Sequence, residues 1–188
     1  EFNKITKKFD AVRRCSNDGF TCEKIAIEKI KHFISKDAMN IDGLGKKVVE
    51  KFWDLKFIKF PQDIYNLNYD KISSLDGWGP QSASNLKFSI ETSREVTLDK
   101  FIFSLGIRHI GIENAKIISD YTKTIKNLFN LAKQNKIDEL INIDGIGETQ
   151  VKSLKKFFNN KINVNVFEKL MRVLNIKNRE IQKTGKLK

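Results

Sequence analysis

The chain of 188 residues is 40% hydrophobic and 31% charged, and its 35 basic residues outnumber 23 acidic ones to give a net charge of +12. Its apolar runs are short and interrupted by Lys or Asn, which excludes a membrane-spanning segment, and we expect a cytoplasmic protein without a signal peptide. The charge favours a polyanionic partner, although the joint abundance of Lys, Ile, Asn and Phe is also typical of an AT-biased genome.

Helical periodicity runs through most of the chain and predicts an all-α fold. Residues 1–22 are expected to form loop or short strand, and Lys161–Val166 is compatible with either helix or strand. The predicted helices cover approximately residues 23–35, 46–56, 61–67, 80–93, 97–105, 112–122, 124–134, 136–141, 151–158 and 162–174. Beyond Asn175 the apolar pattern stops, so we predict a mobile basic tail.

Four short turns of one pattern, apolar-x-Gly-apolar-Gly, punctuate these helices. Their last glycines are Gly45, Gly79, Gly111 and Gly147, so the steps between them are 34, 32 and 36 residues. The third turn departs from the pattern, because His109 stands where the others have their first glycine. The chain is therefore predicted to contain four tandem helix-turn-helix repeats.

Each turn has the chemistry of a phosphate site. Glycine allows positive φ and lets a ligand approach the backbone, while the N-terminus of the following helix presents unpaired N–H groups and a positive dipole. The apolar residue between the glycines is expected to turn inward, and a small or β-branched residue four positions later keeps the two helices close. These positions hold Leu44, Trp78, Ile110 and Ile146, and then Val49, Ala83, Ala115 and Val151.

Three rival interpretations of the repeat stay open. A tetratricopeptide array has a similar period, but its aromatic signature is missing here. A nucleotide-binding glycine loop follows a strand, whereas these turns follow helices. A purely structural hairpin is the third rival, and it suits the turn containing His109 best.

The repeated turn resembles the helix-hairpin-helix module of sequence-independent DNA binders, so the candidate DNA-contacting residues are the turns themselves and the basic residues beside them. Backbone amides of Gly45, Gly79 and Gly147 rank above any lysine as phosphate donors, because many lysines will only cover solvated helix faces. The full predicted set is Gly43, Leu44, Gly45, Lys46, Lys47, Gly77, Trp78, Gly79, Arg108, Ile110, Gly111, Gly145, Ile146, Gly147 and Lys152.

Cys15 and Cys22 form the only cysteine pair in the sequence. A structural zinc site needs four ligands, so this pair binds zinc only if a second pair precedes it. His32 is expected to pack on its helix and His109 to lie at the surface, rather than to act as a ligand, acid or base.

Longer stretches resemble the NAD-dependent bacterial DNA ligase family. The resemblance rests on Arg14-Cys15 through Cys22, on His32–Gly45, which includes the first turn, and on Phe101–Gly111, and it covers about residues 11–176. It implies the second half of a zinc finger and its connecting helix over residues 1–35, a domain of four helix-hairpin-helix motifs over 36–175, and a flexible basic linker over 176–188 toward a BRCT domain. The chain is identified on this basis as a C-terminal fragment of such a ligase.

The resemblance also implies what the fragment does. In the parent enzyme, adenylation and OB-fold domains use NAD and magnesium to seal nicks in replication and repair, while this monomeric fragment would clamp nicked duplex DNA without sequence preference in the nucleoid. The nucleotidyl-transfer motif Lys-x-Asp-Gly is missing, since Lys71–Gly77 has the wrong spacing, so the fragment alone is expected to be inactive. The alternative is an autonomous DNA-binding module of a repair nuclease or branch-migration complex.

Overall fold

The computed structural model describes residues 2–3, 8–9 and 20–178 of the chain. Within these residues the helices are α1 (Glu23–Phe33), α2 (Lys46–Asp54), α3 (Tyr69–Ser73), α4 (Pro80–Thr92), α5 (Leu98–Ser104), α6 (Ile112–Thr122), α7 (Ile125–Lys133), α8 (Glu148–Asn159) and α9 (Lys161–Val173). There are also two 3₁₀ helices. Pro61–Asn66 lies between α2 and α3, and Ile137–Asn142 lies between α7 and α8. The strands are β1 (Phe2–Asn3), β2 (Lys8–Phe9), β3 (Glu95–Thr97) and β4 (Asn175–Lys177).

The prediction of an all-α helix-hairpin-helix fold is confirmed. The segment Lys161–Val166, which was compatible with helix or strand, forms the first turns of α9, where the Asn160 side chain accepts hydrogen bonds from the N–H groups of Ile162 and Asn163. The segment Tyr69–Ser73 is an additional short helix, and Asn68 caps it by accepting from the N–H of Lys71. In both segments an asparagine N-cap starts a helix that apolar spacing alone does not fix.

A single hydrophobic cluster extends through both halves of the described chain. It includes Phe33 of α1, Phe52 of α2, Phe101 of α5 and Phe167 of α9, all at most 1% exposed. Phe101 and Phe167 pack ring against ring with centroids 5.6 Å apart, which joins α5 to α9. Since α1 shares this cluster, the helix preceding the first turn packs as part of the repeat domain.

Three-residue strands join the middle of the chain to its end. Strand β3 pairs in parallel with β4, with Val96 opposite Ile176. The two-residue strands β1 and β2 form a separate antiparallel pair. The predicted linker over residues 176–188 therefore begins inside a strand, while residues 179–188 lie outside the described residues.

Arg94 connects this ladder to the helices on either side. Its guanidinium donates to the carbonyl oxygens of Tyr65 at 3.0 Å and Val173 at 3.1 Å, and to the Glu91 carboxylate at 2.6 and 3.0 Å. Its own carbonyl accepts from the N–H of Asn175 at 2.7 Å. Because of the Glu91 hydrogen bonds, the pKa of Arg94 is raised and that of Glu91 is lowered.

Candidate nucleic-acid interface

The first glycine of each turn adopts a left-handed conformation. Values of φ are +83° at Gly43, +79° at Gly77 and +86° at Gly145. His109 takes the same conformation in the third turn, with φ of +63°. Histidine is among the non-glycine residues that visit this region more often than most, so the substitution preserves the turn.

The second glycine of each turn is the N-cap of the following helix and has an extended backbone. Its φ is −69° at Gly45, −156° at Gly79, −84° at Gly111 and −108° at Gly147. Positive φ is thus confined to the first position of each turn. A Cβ added at Gly45 or Gly79 would meet nothing within 4 Å, so the backbone there faces open space through which a ligand can approach.

The apolar residue between the two turn positions points into the protein, as predicted. Leu44, Ile110 and Ile146 are at most 5% exposed. Trp78 is half-buried and packs against Phe52 with ring centroids 5.7 Å apart. A DNA contact at these four residues must therefore come mainly from the main chain.

The small residues after each turn close the helices against the core. Their N–H groups donate to the carbonyl of the second glycine at 2.9–3.1 Å, which is the first main-chain hydrogen bond of each helix. They are buried, with exposed fractions of 0–4%: Val49, Ala83, Ala115 and Val151.

The amide hydrogens of the second glycines are not equally available to a ligand. Gly79 N–H donates to Ser82 Oγ at 2.9 Å, Gly111 N–H to Asn114 Oδ1 at 3.3 Å and Gly147 N–H to Gln150 Oε1 at 3.1 Å. These acceptors lie three residues beyond each glycine, and they were missed in the sequence. A polar side chain at that position is a readable signal of such a cap.

The first turn lacks this cap. Val48 occupies the position three residues after Gly45, and among the residues that the structure describes no hydrogen-bond acceptor is recorded for the Gly45 amide. The first turns of α2 and α4 are without acidic residues, whereas Glu113 and Glu148 stand in the first turns of α6 and α8, and only α2 begins with two lysines, Lys46 and Lys47. The first hairpin therefore offers an anion the most accessible N–H group and the most favourable local charge.

The four hairpins support one another in two pairs. Gly43 of the first turn lies against Leu86 of α4, and Lys51 of α2 donates to the Asp76 carbonyl in the second turn at 2.8 Å. In the other half, Asn114 of α6 donates to the Gly145 carbonyl in the fourth turn at 3.1 Å.

The predicted basic residues differ in their partners. Lys46, Lys47 and Arg108 are exposed, and within the described part of the chain no side-chain hydrogen bond or ion pair is recorded for them. Lys152 lies 3.2 Å from the carboxylate of Glu148 one turn earlier, and both side chains are about three-quarters exposed, at 77% and 74%. An exposed pair of this kind is weak, so Lys152 can still exchange Glu148 for a phosphate.

The cysteine pair is only partly within the described residues, since Cys15 lies outside them. Cys22 is half-buried and immediately precedes α1. His32 hydrogen-bonds through Nε2 to the Phe103 carbonyl at 2.8 Å, which ties α1 to α5, and His109 lies exposed in its turn. Within residues 20–178, no group of three or more potential metal ligands is found.

Comparisons with known proteins find the same helix-hairpin-helix motif and similarity to DNA ligases. The helix-hairpin-helix motif family matches residues 100–167, which contain the third and fourth hairpins. The chain is 58% identical to the DNA ligase of Pelagibacter ubique over 94% of its length, and 42% identical to that of Wolbachia pipientis wMel over 89%. The resemblance to bacterial DNA ligases is confirmed.

The match to these ligases is a match to part of them. The chain spans about a quarter of the relatives it resembles, since the aligned region is 26% of the ligases from Pelagibacter ubique and Parvibaculum lavamentivorans. Among the residues that the structure describes, no helix is both long enough and apolar enough to cross a membrane.

Proposed function

We propose that this ligase-related chain binds duplex DNA through its phosphates, independently of base sequence, and holds the duplex around a nick while other domains of an NAD-dependent ligase seal it. The observation that carries this proposal is the fourfold recurrence of one turn geometry, with a glycine N-cap at the start of each following helix. Such helix starts bind anions, and phosphate contacts position a protein on DNA without reading bases.

The arrangement of the hairpins in two pairs determines the spacing of the proposed phosphate sites. Each pair presents two helix N-termini, and the second half packs on the first through one core, so the phosphate sites keep fixed distances from one another. The net charge of +12 adds long-range attraction to the phosphate backbone. The names of the relatives favour a ligase over the autonomous nuclease or branch-migration module.

The chemistry of sealing is assigned to the rest of the parent protein. NAD would supply the adenylate and magnesium would assist its transfer, in domains outside this chain. We further propose that Cys15 and Cys22 contribute to a zinc site completed by an upstream cysteine pair, and that the chain acts as a monomer in the bacterial cytoplasm. In this proposal the chain's own residues bind and orient the DNA and take no part in bond making.

Salt-dependent DNA binding tests the core of the proposal. Fluorescence anisotropy with unrelated duplex sequences should give similar dissociation constants, on the order of 10⁻⁴ to 10⁻⁶ M at physiological salt. The logarithm of the binding constant should fall linearly with the logarithm of salt concentration, because bound phosphates release counterions. A flat salt response, or strong preference for one sequence, would refute phosphate-backbone binding.

A Gly45→Asp variant tests the role of the first hairpin. Aspartate is a strong N-cap, and its Cβ has free space, so the free energy of unfolding should stay constant or rise by about 1 kcal/mol. DNA binding should weaken about tenfold, because the new carboxylate occupies the helix amides and repels phosphate. Unchanged affinity in a well-folded variant would remove the first hairpin from the interface.

The matched control is Asn130→Asp, which makes the same change in net charge on the exposed face of α7. It should change DNA affinity by less than about twofold, since α7 follows no glycine turn and a single surface charge outside the proposed contacts acts only through a screened field. Equal losses in both variants would assign the effect of Gly45→Asp to net charge.

A further inference from the structure

Phe88 is exposed to a degree that the fold does not explain. Its side chain on α4 is 75% exposed, whereas the other exposed large hydrophobic residues among those described, such as Leu55 and Tyr121, lie between 41% and 47%. A large aromatic group held in water in this way often belongs to a binding surface.

The repeat itself shows that Phe88 is not needed to build a hairpin. Phe88 stands nine residues after the second glycine of its turn, and the equivalent positions in the other three repeats hold Asp54, Asp120 and Lys156. All four helices nevertheless begin with a glycine N-cap and carry a buried small or β-branched residue four positions later. The aromatic side chain is therefore particular to the second repeat.

The part of α4 that leads from the second turn to Phe88 carries no negative side chain. Residues 77–90 contain no Asp or Glu, and Lys87 is the only charged residue among them. On the exposed side of the helix, Gln81 donates through Nε2 to Asn85 Oδ1 at 2.9 Å. Glu91, one turn after Phe88, is the nearest acidic residue of α4, and its carboxylate is paired with the Arg94 guanidinium at 2.6 Å. The amide side chains before Phe88 therefore form a surface that a polyanion can approach with little repulsion.

This surface continues from the two N-terminal hairpins. Asn85, one turn before Phe88, lines a depression between the first and second turns together with Asp42, Gly43, Gly77 and Ser82. Phe88 lies eight residues after Pro80, about 12 Å along the helix axis, which is about twice the width of the B-DNA minor groove. A duplex whose phosphates lie at these hairpins is therefore within reach of this side of α4.

We infer that the α4 surface formed by Gln81, Asn85 and Phe88 is a further DNA contact, at which Phe88 packs against sugars and base edges of the minor groove. This inference rests on the proposed function and adds an apolar contact to the phosphate contacts of the hairpins. Apolar side chains commonly insert at the minor groove, and asparagine and glutamine amides are suited to its degenerate acceptors.

Substitution of Phe88 by serine, in the whole 188-residue chain, tests this contact. The Phe88→Ser variant should bind a short fluorescent duplex about tenfold more weakly, since aromatic contacts with bases are typically worth about that factor or more. The slope of the binding constant against salt should not change, because no phosphate contact is lost. Far-ultraviolet circular dichroism should stay helical, as Phe88 is exposed.

Tyr121→Ser, at the exposed aromatic residue on α6, is the matched control and should bind as the unsubstituted chain does. Asn85→Asp is a second variant, which should also weaken binding because it places a carboxylate on the α4 surface. Unchanged affinity of Phe88→Ser, or equal losses for Phe88→Ser and Tyr121→Ser, would overturn the inference while leaving salt-dependent binding by the hairpins intact. Failure of the unsubstituted chain to bind duplex DNA would overturn the proposed function and this inference with it.

Discussion

At the scale of single residues, the two glycines of each turn have different roles. The first supplies the left-handed conformation, as the φ of +79° at Gly77 and +86° at Gly145 show. The second provides an N-cap without a side chain, so that the helix amides stay open to solvent. Substitution at the first position should therefore affect the free energy of unfolding, and substitution at the second should affect ligand binding.

Alanine at Gly77 and at Gly145 should have unequal costs. At Gly77 a Cβ meets nothing within 4 Å, so Gly77→Ala should lower the free energy of unfolding by about 1–2 kcal/mol through backbone strain alone. At Gly145 a Cβ would lie 2.6 Å from Ile117 Cδ1, so the same change should cost more. Urea denaturation of both variants measures the difference.

An Ile117→Val background isolates the steric part of this cost. Valine lacks the Cδ1 atom, so Gly145→Ala in that background should cost no more than Gly77→Ala does in the unsubstituted chain. If the cost of Gly145→Ala is the same in both backgrounds, the contact between the fourth turn and α6 does not determine it.

The ionisation of Tyr65 gives a residue-scale prediction with a pH window. Burial raises the pKa of Tyr65 to about 12 from its usual 10, and a hydrogen bond to Ser93 together with the nearby Arg94 opposes part of that rise. Because the folded-state pKa is the higher one, stability is unaffected below pH 10 and falls by about 2 kcal/mol as pH rises toward 12. Denaturant unfolding at a series of alkaline pH values measures this loss.

Tyr65→Phe provides the control for that window. It removes the 3.2 Å contact between the Tyr65 hydroxyl and Ser93 Oγ, which should cost about 1 kcal/mol at pH 8. The steep loss between pH 10 and 12 should become shallower, leaving the smaller contribution of Tyr69, whose pKa burial also raises. An unchanged alkaline slope would show that another group unfolds the chain.

At the scale of elements, the parallel pair β3–β4 depends on Arg94. The guanidinium joins the end of α9 to the first 3₁₀ helix through two carbonyl oxygens, and its centre lies 5.0 Å from the centroid of the Tyr65 ring. Lysine keeps the charge but cannot reproduce this planar set of donors.

Arg94→Lys should therefore lower the free energy of unfolding by about 2 kcal/mol, as carbonyls lose a charged donor. The matched control is Arg172→Lys on the exposed side of α9, which should stay within about 0.5 kcal/mol of the unsubstituted chain. Chemical denaturation followed by circular dichroism measures both, and similar values for the two variants would deny Arg94 this role.

Helices and turns could be predicted from the sequence because their signals are local. The apolar spacing of α8 and the repeated glycines are read within one or two turns of helix, and so is the inward direction of Leu44 and Ile146. The pairing of β3 with β4 could not be predicted, because three residues contain too little alternation and the partners, Glu95 and Asn175, are far apart in sequence. Sequence spacing likewise contains no information on which hairpins meet.

The candidate site, like the fold, could be predicted from the sequence only in part. The sequence predicts which glycines form turns, and the turns form as expected, including the one with His109. The unequal availability of the glycine amides was not anticipated, since it depends on whether Ser82, Asn114 or Gln150 folds back on its own N-cap. Contact of any of these residues with DNA stays a prediction.

At the scale of the whole molecule, two hairpin pairs share one core, which makes the proposed phosphate sites a rigid set. The α1 and α5 helices meet where His32 hydrogen-bonds to the Phe103 carbonyl. The first 3₁₀ helix connects α2 to α3, and the second connects α7 to α8. A rigid set of weak phosphate contacts binds more tightly than the same contacts on a flexible chain, because the later contacts form intramolecularly.

The mutual support of the hairpins constrains how such a chain can change in evolution. The first turn packs against α4, where Gly43 lies next to Leu86, and the fourth turn packs against α6, where Gly145 lies next to Ile117. Loss or duplication of one repeat would leave a turn without its neighbouring helix, whereas gain or loss of two successive repeats would preserve every such contact. We therefore expect the pair of hairpins to be gained or lost as one unit in evolution. Related chains with shorter or longer repeat domains should differ by two repeats at a time.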